Sequence, residues 1–319
     1  MIKSNIILVF LLFFCMNAFS QSETERELLL ELQQTQLEVK EFKSQVDIIQ
    51  RYVVKIKDSL RTCLNPKNEE KLEIEHNSLV NVGKYYALII AVSDYENDRI
   101  FSDLPETIID GKELAEVLEK SYVFERVTFL PDPTKEAILR EFGGLNTEAK
   151  RDDNVLIFYA GHGYMWKDKK VKSGYWCPAN SKWEDSNTLL TDFEILGNLQ
   201  LIDAKNILLI SDACHASSIT TSSRGVNPPK SLVNQEIYEK SSVQYISSGS
   251  DSEVPDNSRF FKNLITGLTK NTATYLSASD LYYQHLKHSY TSYNNDIVIP
   301  QLSPLPGHEL GGDFFFIRK

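Results

Sequence analysis

Apolar residues follow three different patterns along this chain, and each pattern predicts a different element. Residues 6–14 are an unbroken apolar stretch, too short for a membrane span of roughly 20 residues. Between residues 28 and 63 the pattern becomes a heptad. Leu28, Thr35, Phe42, Ile49, Ile56 and Cys63 recur every seven residues, and Leu32, Val39, Val46, Val53 and Leu60 interleave at the same period. Charged and Gln residues fill most other positions, so the spacing predicts a coiled-coil helix over residues 22–64. Asn65-Pro66 ends it, because proline disfavours helical geometry in the residue before it. A polar linker, residues 65–83, follows.

From residue 84 to 319 continuous β-branched runs alternate with amphipathic segments. Strands are predicted near residues 85–92, 125–130, 154–160, 205–211 and 242–247. Helices are predicted near 107–121, 133–143 and 191–200, between successive strands, with two more near 257–270 and 278–289. Such alternation argues for crossover connections and a mainly parallel sheet within one α/β domain over residues 84–319.

Two of these strands carry the candidate chemistry. Asn154-Val-Leu-Ile-Phe-Tyr-Ala160 runs into Gly161-His162-Gly163, and Asn206-Ile-Leu-Leu-Ile210 runs into Ser211-Asp212-Ala213-Cys214-His215. Open parallel sheets build their sites at the C-terminal ends of the strands. A thiol is only a few per cent ionised near neutral pH, and an imidazole beside it can take its proton. Cys214 is therefore the candidate nucleophile and His162 its base. The flanking glycines let the backbone bend and a substrate approach. His215 is a bystander, and His76, His285, His288 and His308 lie outside any motif. Asp212 would attract a basic group if it faces the site. Asp94 is a candidate second acid, against a turn role for the same residue, and Asp103 competes with it. No Walker, zinc or dinucleotide pattern is present, and no metal ligands are assigned.

These two segments resemble the caspase-type cysteine peptidases, and the metacaspase and bacterial orthocaspase branch more than the animal caspases. The histidine about fifty residues before the cysteine is the caspase spacing. Asp212 stands where caspases have Gln, as in the metacaspase Asp-x-Cys-His motif, while Ala216-Ser217 replace the usual small residue and Gly. Tyr85-Tyr-Ala-Leu-Ile-Ile-Ala-Val92-Ser-Asp-Tyr95 resembles the first strand and its loop, and Leu104-Pro105 to Asp110 the next segment. Pro300-Gln-Leu-Ser-Pro304 and Gly311-Gly-Asp-Phe-Phe-Phe316 resemble the closing strand of bacterial members. The resemblance implies a six-stranded sheet with helices on both faces and a His162–Cys214 dyad. It implies oxyanion donors at the backbone N–H groups of Gly163 and Cys214. It also implies cleavage of polypeptides after Arg or Lys through Asp212. Many metacaspases need Ca²⁺, although no Asp-x-Asp-x-Asp-Gly loop is present here. In many caspase-like enzymes the stretch after the nucleophile is cut during maturation. Residues 217–230 are rich in Ser, Thr, Gly and Pro and read as an exposed loop. They offer Arg224 first and Lys230 second as self-cleavage points.

Lys3, the apolar stretch and Ala18-Phe-Ser20 fit a secretory signal peptide over residues 1–20. An uncleaved anchor is the alternative. The mature protein is then expected to be secreted or periplasmic. Three cysteines remain after cleavage, Cys63, Cys177 and Cys214, an odd count that leaves a free thiol or an intermolecular bond. A net charge of −10 argues against nucleic acid as a partner. Nothing earlier in the mature chain covers the heptad seam, so a homo-oligomer through residues 28–63 is expected. Two rival readings remain: a catalytically idle scaffold that binds partners, and a Cys-dependent hydrolase or transpeptidase acting on a non-protein amide.

Overall fold

The computed structural model describes residues 82–96, 101–167, 172–182, 185–213, 234–249, 258–289, 291–293 and 296–319. The predicted signal peptide and coiled coil lie outside these residues, as do Cys63, Cys214, His215, Arg224 and Lys230.

The buried runs become strands where the sequence predicts them. In chain order the elements are β1 (Tyr85–Ala91), α1 (Pro105–Ser121), β2 (Arg126–Pro131), α2 (Lys135–Glu148), β3 (Asn154–Ala160), β4 (Gly163–Lys167), β5 (Lys172–Trp176) and β6 (Leu190–Thr191). Then come α3 (Asp192–Leu201), β7 (Asn206–Asp212), α4 (Asn234–Tyr238), β8 (Ser242–Ser247), α5 (Arg259–Lys270), β9 (Tyr275–Ser277), α6 (Ala278–Leu281), β10 (Thr291–Tyr293), β11 (Asp296–Val298), β12 (Gln301–Pro304) and β13 (Phe315–Ile317). The main sheet has six strands in the order β12-β8-β7-β3-β1-β2. All neighbouring pairs are parallel except β12 with β8.

Every residue of β1, β3 and β7 is buried, because helices cover both faces of these inner strands. On one face Leu88, Ile90, Ile157, Tyr159 and Leu209 pack with Ile138 and Phe142 of α2 and Ile195 and Leu199 of α3. On the other, Ala87, Ile89, Phe158 and Ile210 meet Leu114 and Leu118 of α1 and Phe261, Leu264 and Leu268 of α5. Helix starts are defined locally. The side chain of Thr134 accepts the Ala137 N–H at the head of α2, Thr191 and Glu194 form a reciprocal capping box on α3, and Ser258 caps α5.

Three features depart from the expected pattern. Residues 163–191 contribute a small antiparallel sheet, β4-β5-β6, between β3 and α3. The helix expected over 278–289 runs only to Leu281 before a wider turn, Tyr282–Leu286. The two C-terminal segments also separate. Gln301–Pro304 closes the main sheet, whereas Phe315–Ile317 pairs with β9 in a sheet of its own.

Asp313, just before β13, is buried with Ser277, Ser279 and Gln244 around it, and the Ser279 N–H donates to its Oδ1 at 3.3 Å. Burial pushes its carboxyl up to about 6, against the hydrogen bonds that favour the charged form. The folded state therefore holds this proton more tightly than the unfolded chain. The associated stability is complete below the ordinary aspartate range and is lost as pH rises through about 6. At 1.36 kcal/mol per pKa unit the loss is on the order of 3 kcal/mol. Asp313→Asn keeps an acceptor for Ser279 and should flatten this limb. Urea melts of both proteins between pH 4 and pH 7 check it, and parallel stability curves would exclude Asp313 as the source.

Candidate active site

The C-terminal ends of β1, β3 and β7 stand side by side. Ala91 is in register with Ala160, and Ala160 with Asp212. The Val92 N–H donates to the Ala160 carbonyl at 2.9 Å, and the Gly161 N–H to the Asp212 carbonyl at 3.4 Å. The loops after all three strands therefore leave from one edge. Asp212 is the last residue of β7. Cys214 lies two positions further along the chain, outside the described residues.

His162 sits immediately beyond β3, in a turn that needs glycine before it. Gly161 has φ +154°, and a Cβ there would lie 2.9 Å from the Tyr159 hydroxyl, 2.9 Å from the Tyr95 hydroxyl and 3.1 Å from the Val92 Cβ. The His162 N–H donates to the Tyr95 hydroxyl at 2.7 Å. Its carbonyl accepts from the Tyr159 hydroxyl at 2.7 Å and from the Cys177 N–H at 3.0 Å. The imidazole packs against the Tyr95 ring, centroids 4.9 Å apart, and the Phe101 ring, 5.9 Å away. Nε2 lies 2.8 Å from the Ser102 carbonyl oxygen. A carbonyl oxygen only accepts, so Nε2 carries the proton, and in the neutral ring Nδ1 carries the basic lone pair.

Gly163 opens β4 and is in register with Trp176, whose indole stacks on Tyr159 at 4.2 Å. This small sheet fixes the chain on the far side of His162. Cys177 is fully buried beside it as a thiol, and Cys63 lies outside the described residues.

Asp212 is buried, and among the described residues its Oδ1 has no hydrogen-bond partner. Burial pushes its carboxyl up, opposed by the Ser258 and Ser248 hydroxyls. Ser258 also caps α5, its Oγ accepting the Phe261 N–H at 3.1 Å. The carboxylate thus meets the positive end of a helix through the capping serine. An ion so buried wants a cation.

Asp94 is exposed at the same edge. Its N–H and that of Ser93 donate to Asp132 Oδ1 at 2.9 and 2.6 Å. Asp103 is engaged otherwise, its Oδ1 accepting the Tyr95 N–H at 3.3 Å. Asp132 escaped the sequence reading. It ends the β2 turn at φ +43°, a conformation Asp tolerates better than most residues, and it ties down the loop that carries Tyr95, Phe101 and Ser102. Nothing in its sequence neighbourhood marks that role. Among the described residues no group of three or more His, Cys, Asp or Glu side chains could hold a metal.

A six-stranded, mainly parallel sheet flanked by helices, with a histidine held at its C-terminal edge, defines a caspase-like α/β fold. The family model described as the caspase domain matches residues 84–297, more than half of the chain, and the protein belongs to this family of cysteine peptidases, which act on polypeptides. Among solved structures, a protein from Geobacter sulfurreducens is 16% identical with a TM-score of 0.49, over 71% of this chain and 97% of its own. Caspase-1 from Spodoptera frugiperda is 15% identical with a TM-score of 0.49, over 74% of this chain and 92% of its own. No curated protein matches the chain.

Proposed function

We propose that the protein is an exported cysteine endopeptidase that cleaves polypeptides after Arg or Lys, with Cys214 as nucleophile and His162 as base. The observation that carries this reading is the state of His162. Its Nε2–H is held by the Ser102 carbonyl at the sheet edge, leaving Nδ1 as the basic nitrogen. In this reading Nδ1 takes the Cys214 thiol proton, and the thiolate sulfur bonds to the scissile carbonyl carbon. The tetrahedral oxyanion is met by the backbone N–H groups of Gly163 and Cys214. Collapse breaks the C–N bond as the imidazolium returns a proton to the leaving amine. Water, deprotonated by His162, then hydrolyses the thioester and restores the thiol.

Asp212 is the proposed P1 acid. Its buried Oδ1, without a partner among the described residues, suits a guanidinium or ammonium group, and Asp94 is the proposed second acid, since Asp103 is already bonded to the loop. The coiled coil at residues 28–63 is proposed to oligomerise the enzyme. Arg224 is proposed as a self-cleavage point, because it matches this specificity within a stretch whose Ser, Thr, Gly and Pro content reads as loop.

The test is a panel of peptide amides ending in Arg, Lys or Asp, incubated with the mature protein with and without Ca²⁺. Release after Arg and Lys but not Asp is expected. No turnover of any peptide under either condition would reject the peptidase reading. Mass spectrometry of the same preparations should find fragments ending at Arg224 in wild type and none in Cys214→Ala. Equal fragments in both would assign the cut to another protease.

A further inference from the structure

A histidine between two glycines gets no support from the side chains of its chain neighbours, and glycine leaves the backbone freer than any other residue. Yet a general base must sit within a fraction of an ångström of its working position, since a displacement of about 1 Å can cost roughly 100-fold in rate. Both backbone polar groups of His162 are taken by phenolic hydroxyls from two different strand ends. Tyr95, beyond β1, accepts the N–H at 2.7 Å, and Tyr159, within β3, donates to the carbonyl at 2.7 Å. Both tyrosines are essentially fully buried.

Each hydroxyl is itself oriented. Tyr159 Oη accepts the Cys177 N–H at 3.1 Å, and of the two carbonyls within its reach that of His162 at 2.7 Å is closer than that of Cys177 at 3.2 Å. Tyr95 Oη takes the His162 N–H and lies 3.5 Å from the Val92 carbonyl. The two hydroxyls close in from separate directions on Gly161, where a Cβ would meet each of them at 2.9 Å. The glycine before the histidine is thus required by the clamp as well as by its φ of +154°. Tyr95 acts twice, since its ring also packs on the imidazole.

We propose that Tyr95 and Tyr159 are positioning residues that grip His162 by its own amide and carbonyl, so that the imidazole is aimed by backbone hydrogen bonds as well as by its Nε2 contact. Neither tyrosine touches the reacting atoms. The inference rests on His162 being the base for Cys214, and the test separates the two ideas.

Tyr95→Phe keeps the ring on the imidazole and deletes the acceptor for the N–H along with the long contact to the Val92 carbonyl. Tyr159→Phe keeps the stack on Trp176 and deletes the donor to the His162 carbonyl together with the hydroxyl's contacts to the Cys177 backbone. Each should lower kcat on an Arg-ended peptide amide by about 10- to 100-fold while KM stays within about twofold. A second readout needs no substrate. The pH dependence of Cys214 alkylation by iodoacetamide, followed by mass spectrometry, reports the thiolate held by His162. Its midpoint should rise in each variant toward the value of His162→Ala, roughly 8.5 for an unassisted thiol. Wild-type kcat and an unmoved alkylation midpoint in Tyr95→Phe, with His162→Ala inactive, would overturn the clamp and leave the dyad standing. An alkylation midpoint equal in wild type and His162→Ala would overturn the dyad and the clamp with it. If Tyr159→Phe fails to fold, Tyr95→Phe decides the matter alone.

Discussion

Cys214→Ala should abolish peptide cleavage, and His162→Ala should lower it by about 10²- to 10⁴-fold, the usual contribution of a positioned general base. The fold should survive both changes. His162 lies at the rim of the sheet, half-exposed, and its replacement leaves untouched the strand pairing of β3 with β1 and β7. In the proposed dyad the two residues act as one unit, the imidazole taking the thiol proton and having no task without the thiol. The double variant should therefore be little worse than Cys214→Ala alone, far from the product of the single effects. Wild-type turnover by Cys214→Ala would reject the dyad. Thermal melts run alongside distinguish a lost reaction from a lost fold.

Asp212→Asn should separate activity from stability. On Arg and Lys substrates kcat/KM should fall by an amount corresponding to about 2–5 kcal/mol, the usual cost of removing one partner of a buried charge pair. The free protein should move the other way. Burial raises the Asp212 carboxyl above its ordinary range, so the folded state binds its proton more tightly than the unfolded chain. That stability is present below the ordinary aspartate pKa and is lost as pH rises through the raised one. Above that raised pKa the wild type carries the cost of a buried charge with no cationic partner among the described residues, and the amide removes that cost. Asparagine can still accept from Ser258 and Ser248. The expected signature is weaker cleavage after basic residues together with a higher melting temperature. An unchanged preference for Arg and Lys would remove Asp212 from the specificity pocket, and a lowered melting temperature would make its role structural.

Much of the domain was legible before any coordinates. The strands at β1, β3 and β7 are continuous apolar runs, and such runs are buried on both faces by necessity. The segments between them show helical spacing and carry capping residues such as Thr134, Thr191 and Ser258. The small sheet was not legible. Gly163-Tyr-Met-Trp-Lys167 and Lys172-Ser-Gly-Tyr-Trp176 are short and mix apolar with polar residues, and a five-residue run without clean alternation fits a strand or a loop equally well. The C-terminal segments were read as one closing strand, because their pattern cannot say which neighbour each will pair with. Phe314 and Phe316 bury themselves on the α1 and α5 face, and that packing takes β13 to β9 and away from the main sheet.

The sequence by itself determined the alternation of strand and helix and which polar residues follow which strand, because both depend on local pattern. His162 after β3 and Asp212 at the end of β7 are consequences of chain order once those runs are strands. The tertiary structure decided what holds these residues. The Tyr95 hydroxyl on the His162 amide, the Ser102 carbonyl on its Nε2, Asp132 beneath the loop and Ser258 against Asp212 are contacts across 39 to 67 residues of chain. Hydrogen bonds of that range depend on how sheet edges and helix ends meet in space, and no residue pattern along the chain encodes them singly. Local periodicity thus set the scaffold and the order of the candidate residues along it, while long-range packing set the aim of the His162 imidazole and the burial of the Asp212 carboxyl.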